Sequence, residues 1–456
     1  MTAPDTSPEA LLGLARELVD RAKGNEQVEV VLSHSTSTTI RAYEQDVESF
    51  TTATASAIGI RVIEDGRAGF ASAGTHDRLV IDELLDQART NARFAEPDEF
   101  VALAQPDGVE ATEFERFSEA LASVSAEEKI ALALEVERRV KAADTRITGV
   151  RTAAYGDNTV SFALASSTGL GYGERATSAS VSVHALAADG DRTMSGGGGD
   201  AAADPSGLDL DGVVERAVRQ AVDLIGSTKP KSVPVQLVLD QRIAASLYGI
   251  IAGMLTGDRI VKGRSPFVHR LGEAIASPLL SIADTPLDRE SLAATSYDGE
   301  GLACRNLPLI TDGVLENFLF DDLNARKYGT TSTASAQRST RGLPSPGVHV
   351  LSVPAGDGGD LEQLIAGVDQ GVLVFGLAGF HSGVNPVSGD LSLGVDGRMI
   401  RNGQVAEPIS EATVGSTLQR MMLGITAVGS DRLHLPGGAV CPSLVVGDVM
   451  LSGASG

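Results

Sequence analysis

Asn158-Thr159-Val160-Ser161-Phe162-Ala163-Leu164 and Ala179-Ser180-Val181-Ser182-Val183-His184-Ala185 are the two stretches on which the fold reading turns. In both, larger apolar side chains alternate with small or polar ones, a period of two that puts the apolar set on one face of a strand. Gly169-Leu170-Gly171 between them, and Asp157-Asn158 at the start of the first, read as turns. Residues 147–190 are therefore expected to form an antiparallel meander with one buried face. The pattern extends upstream. Val28, Val30 and Leu32 alternate, and Ile58, Ile60, Val62 and Ile63 run into Glu64-Asp65-Gly66, a hairpin signal. Helical spacing predicts helices over 9–23 (Leu11, Leu14, Ala15, Leu18, after Ser7-Pro8), 76–95 (Ile81, Leu84, Leu85, Ala88), 126–143 (Leu132, Val136, Val140) and 208–226. Residues 96–125 lack periodic apolar positions and read as a surface loop. The run Ser195-Gly196-Gly197-Gly198-Gly199-Asp200 reads as a flexible loop. It is not a phosphate cradle, because no Gly-Lys-Ser/Thr follows it and it opens no helix.

Lys229-Pro230-Lys231-Ser232-Val233-Pro234 punctuates the chain and predicts two domains, 1–230 and 231–456. The second opens with a strand, Val235–Leu239, and a helix over 241–256, and then turns β-rich. Asp312-Gly313, Asp396-Gly397 and Asn402-Gly403 are its hairpin signals. The expected class is α+β: an N-terminal domain of helices and antiparallel hairpins, and a larger C-terminal domain dominated by mainly antiparallel sheet.

Composition narrows the function. The 456 residues can bury a large core without disulfide or metal staples. Lys and Arg number 37 against 60 Asp and Glu, a net charge of −23 that repels phosphates and disfavours nucleic acid or an anionic membrane as partner. Two cysteines, Cys304 and Cys441, suit a reducing compartment and make no metal-ligand pattern. Met1-Thr2-Ala3-Pro4-Asp5 shows no basic segment leading into an apolar one, and no apolar run reaches about 18 residues. A cytoplasmic location with no membrane span is the expectation.

The usual catalytic patterns are missing. No two of His34, His76, His184, His269, His349, His381 and His434 lie within five residues of each other, so no zinc-binding His pair shares a helix. There is no Gly-x-Ser-x-Gly elbow. Acidic pairs such as Asp298/Glu300 and Asp321-Asp322 read as solvated faces in so acidic a chain. His381 and His434 sit in Gly-rich loops, where function concentrates. The plainer reading of each is a hydrogen bond to a turn carbonyl.

Several pieces of the second half occur in a distinctive order. They are Gly263-Arg264-Ser265-Pro266-Phe267, Leu271-Gly272-Glu273-Ala274-Ile275-Ala276-Ser277-Pro278, Asp284, Tyr297-Asp298-Gly299-Glu300-Gly301, Leu309–Leu315, Ala325-Arg326-Lys327, Gly383-Val384-Asn385-Pro386-Val387-Ser388-Gly389-Asp390 and Pro442-Ser443-Leu444. In these the chain resembles the TldD/PmbA family, in particular its TldE (PmbA) branch. The resemblance implies a zinc metallopeptidase background, in which active members carry a His-Glu-x-x-x-His helix and a C-terminal cysteine ligand. Anchored on Gly257-Asp258, the matching positions here are Tyr248, Gly249 and Gly253, and the region matching the thiolate is Gly429-Ser430-Asp431. Neither a catalytic residue nor a metal ligand is expected in this chain. Gly249-x-x-x-Gly253-x-x-x-Gly257 reads first as close packing against a sheet. The alternative is a strip lining a residual cleft, with Tyr248 or Met254 touching substrate or partner, and His381 and His434 as further cleft candidates.

The resemblance implies a non-catalytic subunit that pairs with a TldD-type His-Glu-x-x-x-His homologue holding the zinc. Together they would enclose an extended unfolded, leader-type or natural-product peptide or amide, with a role in antibiotic pathways among the implied uses. Two other readings stay open. One is a stand-alone homodimeric peptide-binding or chaperone-like protein. The other is a divergent hydrolase built around His381 and His434.

Overall fold

The structure is a computed structural model that describes residues 5–453, apart from the side chains of Phe380, His381 and Asp448. Its N-terminal part contains α1 (Pro8–Val19), β1 (Gln27–Tyr43), β2 (Asp46–Glu64), β3 (Arg67–Ala73), α2 (Arg78–Phe94), α3 (Glu119–Ser123), α4 (Ala126–Ala143), β4 (Ile147–Ser166), β5 (Gly171–Asp189), β6 (Arg192–Ala202) and α5 (Leu210–Val222). The strands form one antiparallel sheet in the order β3-β2-β1-β4-β5-β6. The alternation seen in sequence becomes its buried face. Val28, Val30, Leu32, Ile58 and Ile60 pack under α1 and α2 through Leu11, Leu18, Ile81 and Leu85. Ile40, Tyr155, Val181 and Val183 pack under α4 and α5 through Val136, Val140, Val213 and Ala217.

Two turns show how local chemistry closes this sheet. Asp65 and Gly66 both take positive φ, as a two-residue hairpin turn requires. The β1–β2 turn uses Glu44 and Gln45 at positive φ instead, without a glycine. There the Glu137 carboxylate of α4 accepts both turn amides at 2.8 Å, so a tertiary contact supplies what the local sequence lacks.

The glycine run at 195–200 is not a loop. It lies within β6, paired along β5 from Ala185↔Gly196 to Val181↔Asp200. A Cβ on Gly196 would stand 2.2 Å from the Ala217 carbonyl oxygen, and one on Gly198 2.0 Å from that of Val213. Only glycine lets α5 lie this close to the strand. Asp157-Asn158 is likewise no turn: it lies inside β4, opposite Thr38 and Ser37, with Asp157 paired to Lys129 at 2.7 Å. Residues 95–118 run as an irregular strap that buries Leu103 and Ala104.

Residues 229–232 connect to the C-terminal part, which begins with β7 (Val233–Leu239), α6 (Gln241–Met254) and the short α7 (Gly257–Val261). Its longer strands are β8 (Gln370–Ala378), β9 (Asp390–Arg401), β10 (Gln404–Thr417), β11 (Ile425–Val428) and β12 (Leu444–Ser452). They pair in the order β10-β9-β8-β7-β12-β11, with only β7–β8 parallel. β10 also pairs with β12, so five strands close into a ring. Asp312-Gly313 and Asn402-Gly403 are hairpin turns as expected. Asp396-Gly397 instead lies inside β9 at an irregularity in the ladder, where a Cβ on Gly397 would meet the Leu373 carbonyl oxygen at 2.1 Å. A second sheet of short strands, among them 282–284, 307–311 and 440–441, packs beside the ring through Ile282, Leu309 and Cys441. Among the described residues, no helix is long and apolar enough to cross a membrane.

Candidate functional site

α6 follows β7 directly. Asp240 caps it by accepting the Ile243 amide at 2.9 Å. Its last carbonyls are taken up too, because Thr256 Oγ1 donates to Gly253 and Ser265 Oγ donates to Met254. Both ends are therefore fixed, and the side chains between them sort into two faces.

One face enters the core with Ala244, Leu247, Tyr248, Ile251 and Leu255. The other carries Ser246, Gly249, Ile250 and Gly253, spaced i, i+3, i+4, i+7, and borders a cavity of about 530 Å³. Met254, Arg259, Val384 and Pro386 complete its wall. The glycines behave differently along the helix. A Cβ added to Gly249 or Gly253 would meet nothing within 4 Å, so neither is there for close packing. Gly257 is the tight position: a Cβ there would lie 2.2 Å from Phe320, and its amide donates to the Leu319 carbonyl at 2.7 Å. The expectation of uniform close packing along the strip therefore fails at two of its three positions.

Tyr248 is a correction. It has no solvent exposure and does not reach the cavity. Five positions along a regular helix is a rotation of about 140°, which separates Tyr248 from Gly253. The phenol hydroxyl finds no hydrogen-bond partner among the described residues. Burial pushes its pKa well up, with Cys441 and Asp431 adding to the shift. Cys441 Sγ itself donates to the Gln241 carbonyl at 3.3 Å, and burial raises this thiol to about 12. Asp431 is occupied by Ser443, whose amide and hydroxyl donate to it at 2.9 and 2.8 Å.

No described contact brings His434 to α6. His434 lies apart from the cavity wall. Its Nε2 is 3.1 Å from Asp288 and its Nδ1 is 3.7 Å from Glu290. His381 belongs to the short helix Phe380–Gly383, and its side chain lies outside the described residues.

A buried charge cluster was missed in sequence. Asp298, Glu300 and Asp321, read as part of solvated faces, are each 1% exposed. Asp298 accepts the amides of Glu300, Leu302 and Ala336, which shapes the Tyr297–Gly301 turn. Glu300 accepts the Asp322 amide at 2.8 Å and lies 3.9 Å from Arg61 of β2. Arg61 pairs with Glu29 of β1 at 3.1 Å, and Arg338 pairs with the other Glu29 oxygen. The cluster therefore ties the N-terminal sheet to the C-terminal part. Burial raises Asp298 and Glu300, the latter strongly and with Asp298 contributing. Only the spacing of oppositely charged residues hundreds of positions apart could have announced it, and that is invisible before folding.

A zinc ion of the kind held by a His-Glu-x-x-x-His helix does not fit here. The three matching positions offer a buried phenol and two glycines without donor atoms. Among the described residues, no group of three or more His, Cys, Asp or Glu side chains is placed to hold a metal ion.

Three family models match almost end to end. They are the PmbA/TldA metallopeptidase domain 1 over residues 28–92, the central domain over 119–225 and the C-terminal domain over 232–453. The chain belongs to the PmbA/TldD metallopeptidase family. It is similar to metalloprotease PmbA of Escherichia coli O157:H7, 26% identical over 93% of this chain and 92% of that one. It is also similar to a metalloprotease TldD homologue of Haemophilus influenzae, 27% identical over 53% of each chain. In fold it matches the crystal structure of TldE from Thermococcus kodakarensis, with TM-score 0.86, 24% identity, and coverage of 98% of this chain and 99% of that one.

Proposed function

We propose that this chain is the zinc-less subunit of a two-chain metallopeptidase, in which a homologue bearing the His-Glu-x-x-x-His helix performs the hydrolysis. The observation that carries this is the open face of α6. Gly249 and Gly253 border the cavity with no side-chain atom to bind a metal, polarise a carbonyl or activate water. What this face does supply is room. An extended peptide or amide can lie along a helix that presents no side chain at two adjacent turns. The chain's role is then to wall and narrow a chamber completed by the partner, admitting unfolded segments and excluding folded ones.

Native mass spectrometry of the chain isolated from its own host, paired with metal analysis and a peptidase assay, tests this. The expected result is a heterodimer with a homologous chain and one zinc that leaves with the partner on dissociation. The isolated chain should bind no stoichiometric zinc and hydrolyse nothing. Zinc retained by this chain alone, or full peptidase activity without a partner, refutes the reading. A metal-free homodimer would favour a stand-alone peptide-binding protein.

A further inference from the structure

The cavity beside α6 has one feature that room alone does not explain. Its wall is mostly apolar or bare: Gly249, Ile250, Gly253, Met254, Val384 and Pro386. Into it the chain places one charge, Arg259 of α7. Acids outnumber bases 60 to 37 in this protein, and arginines such as Arg21, Arg89 and Arg326 have a carboxylate partner. Among the described residues, none lies within ion-pair distance of Arg259. Its neighbour Asp258 is engaged by Lys262 at 3.5 Å instead. A half-buried guanidinium against an apolar wall gives up part of its hydration without receiving a counter-charge. Its planar fork is suited to two parallel hydrogen bonds to a carboxylate.

We propose that Arg259 is a specificity residue that receives a carboxylate of the peptide lying along α6, either the C-terminal carboxylate or an Asp or Glu side chain. This rests on the reading of the cavity as the substrate cleft. The apolar wall would hold the residues next to that carboxylate, and the bare helix face would let the peptide backbone approach. Selection for a charge at one place, with little selection elsewhere, follows from one cation in a trough whose other described lining residues are uncharged.

The test uses the full chain as purified from its host and a short peptide of Ala, Ser and Leu labelled at its N-terminus, with binding read by fluorescence anisotropy. Four peptides are compared: the free acid, its C-terminal amide, and two amides carrying one internal Glu or Gln. Wild type should bind carboxylate-bearing peptides on the order of tenfold more tightly than their neutral counterparts. Arg259→Gln should erase that preference, and Arg259→Lys should keep part of it. A preference for the free acid identifies the terminal carboxylate, and a preference for internal Glu identifies the side chain. Gly253→Leu, which fills open space and leaves the core untouched, should weaken all four peptides. If Gly253→Leu abolishes binding while neither the carboxylate nor Arg259→Gln matters, the carboxylate proposal is overturned and the cleft stands. If Gly253→Leu has no effect, or no peptide binds, the cleft reading falls and the proposal with it.

Discussion

Replacing glycine by alanine should have opposite signs at two places in this chain, and the difference comes from the structure alone. Gly249 and Gly253 lie inside α6, where an added Cβ meets nothing within 4 Å. Alanine in a helix interior avoids the backbone-entropy cost of glycine, about 0.5–1 kcal/mol per position. The double variant should therefore gain roughly 1–2 kcal/mol. Gly198 also has ordinary negative φ, so no backbone strain separates it from the α6 pair. Its added Cβ would stand 2.0 Å from the Val213 carbonyl oxygen, against an ordinary contact beginning at 3.4 Å, so α5 would have to retreat by 3.4 − 2.0 = 1.4 Å. That retreat loosens Val213 and Ala217 from the sheet, and overpacking of this kind costs about 1–3 kcal/mol or more. Urea unfolding of the isolated chain followed by circular dichroism reads the signs, and hydrogen exchange at β6 localises the loss in Gly198→Ala. A neutral Gly198→Ala together with destabilising Gly249→Ala and Gly253→Ala would refute the reasoning, because it would mean that the α6 face is covered and the β6 edge is not.

Three further outcomes follow from buried polar groups. Glu29→Gln leaves Arg338 and Arg61 buried without their main counter-charge and should cost about 3–5 kcal/mol at neutral pH. Burial pushes the Glu29 carboxyl up, but Arg338 and Arg61 outweigh it and hold it below the usual 4.5. Its stabilisation is therefore full above that value and lost as pH falls through the folded pKa, so wild type and variant should converge on acidification from neutral pH, and a gap that widens instead contradicts the assignment. Tyr248→Phe removes a buried hydroxyl with no partner among the described residues and should be neutral or stabilising by up to about 1 kcal/mol in the same unfolding assay; a clear loss would reveal a partner for the phenol. Cys304 and Cys441 are both buried with thiols raised by burial, so iodoacetamide at mildly alkaline pH should label neither until the protein is unfolded, and stoichiometric native labelling would place a thiol at the surface.

The sequence by itself determined the class of sheet, most of the helices and the family. Alternation at Val28–Leu32, Ile58–Ile63 and Ala179–Ala185, and helical spacing at 126–143, are periodic properties of the chain, and burial on one face follows from them without knowledge of distant contacts. The order of motifs in the second half carried the family. Where the reading went wrong, the deciding partner lay far along the chain. Glycine carries no side chain to show a period, so Gly196–Gly199 reads as a loop until α5 is seen pressed on it. The same residue type reads alike at Gly253 and Gly257, and only the tertiary structure separates open space from the Phe320 ring. Tyr248 is a cleft candidate in the alternative reading of that strip, and the distant strands packed on its face of α6 place it in the core. Asp298 and Glu300 looked solvated because acids usually are. Arg61 and Arg338, with the amides that Asp298 collects, exist as their neighbours only once the two halves of the chain meet. Periodicity is local and legible, whereas pairing of charges and close approach of backbone are set by the packing of distant segments.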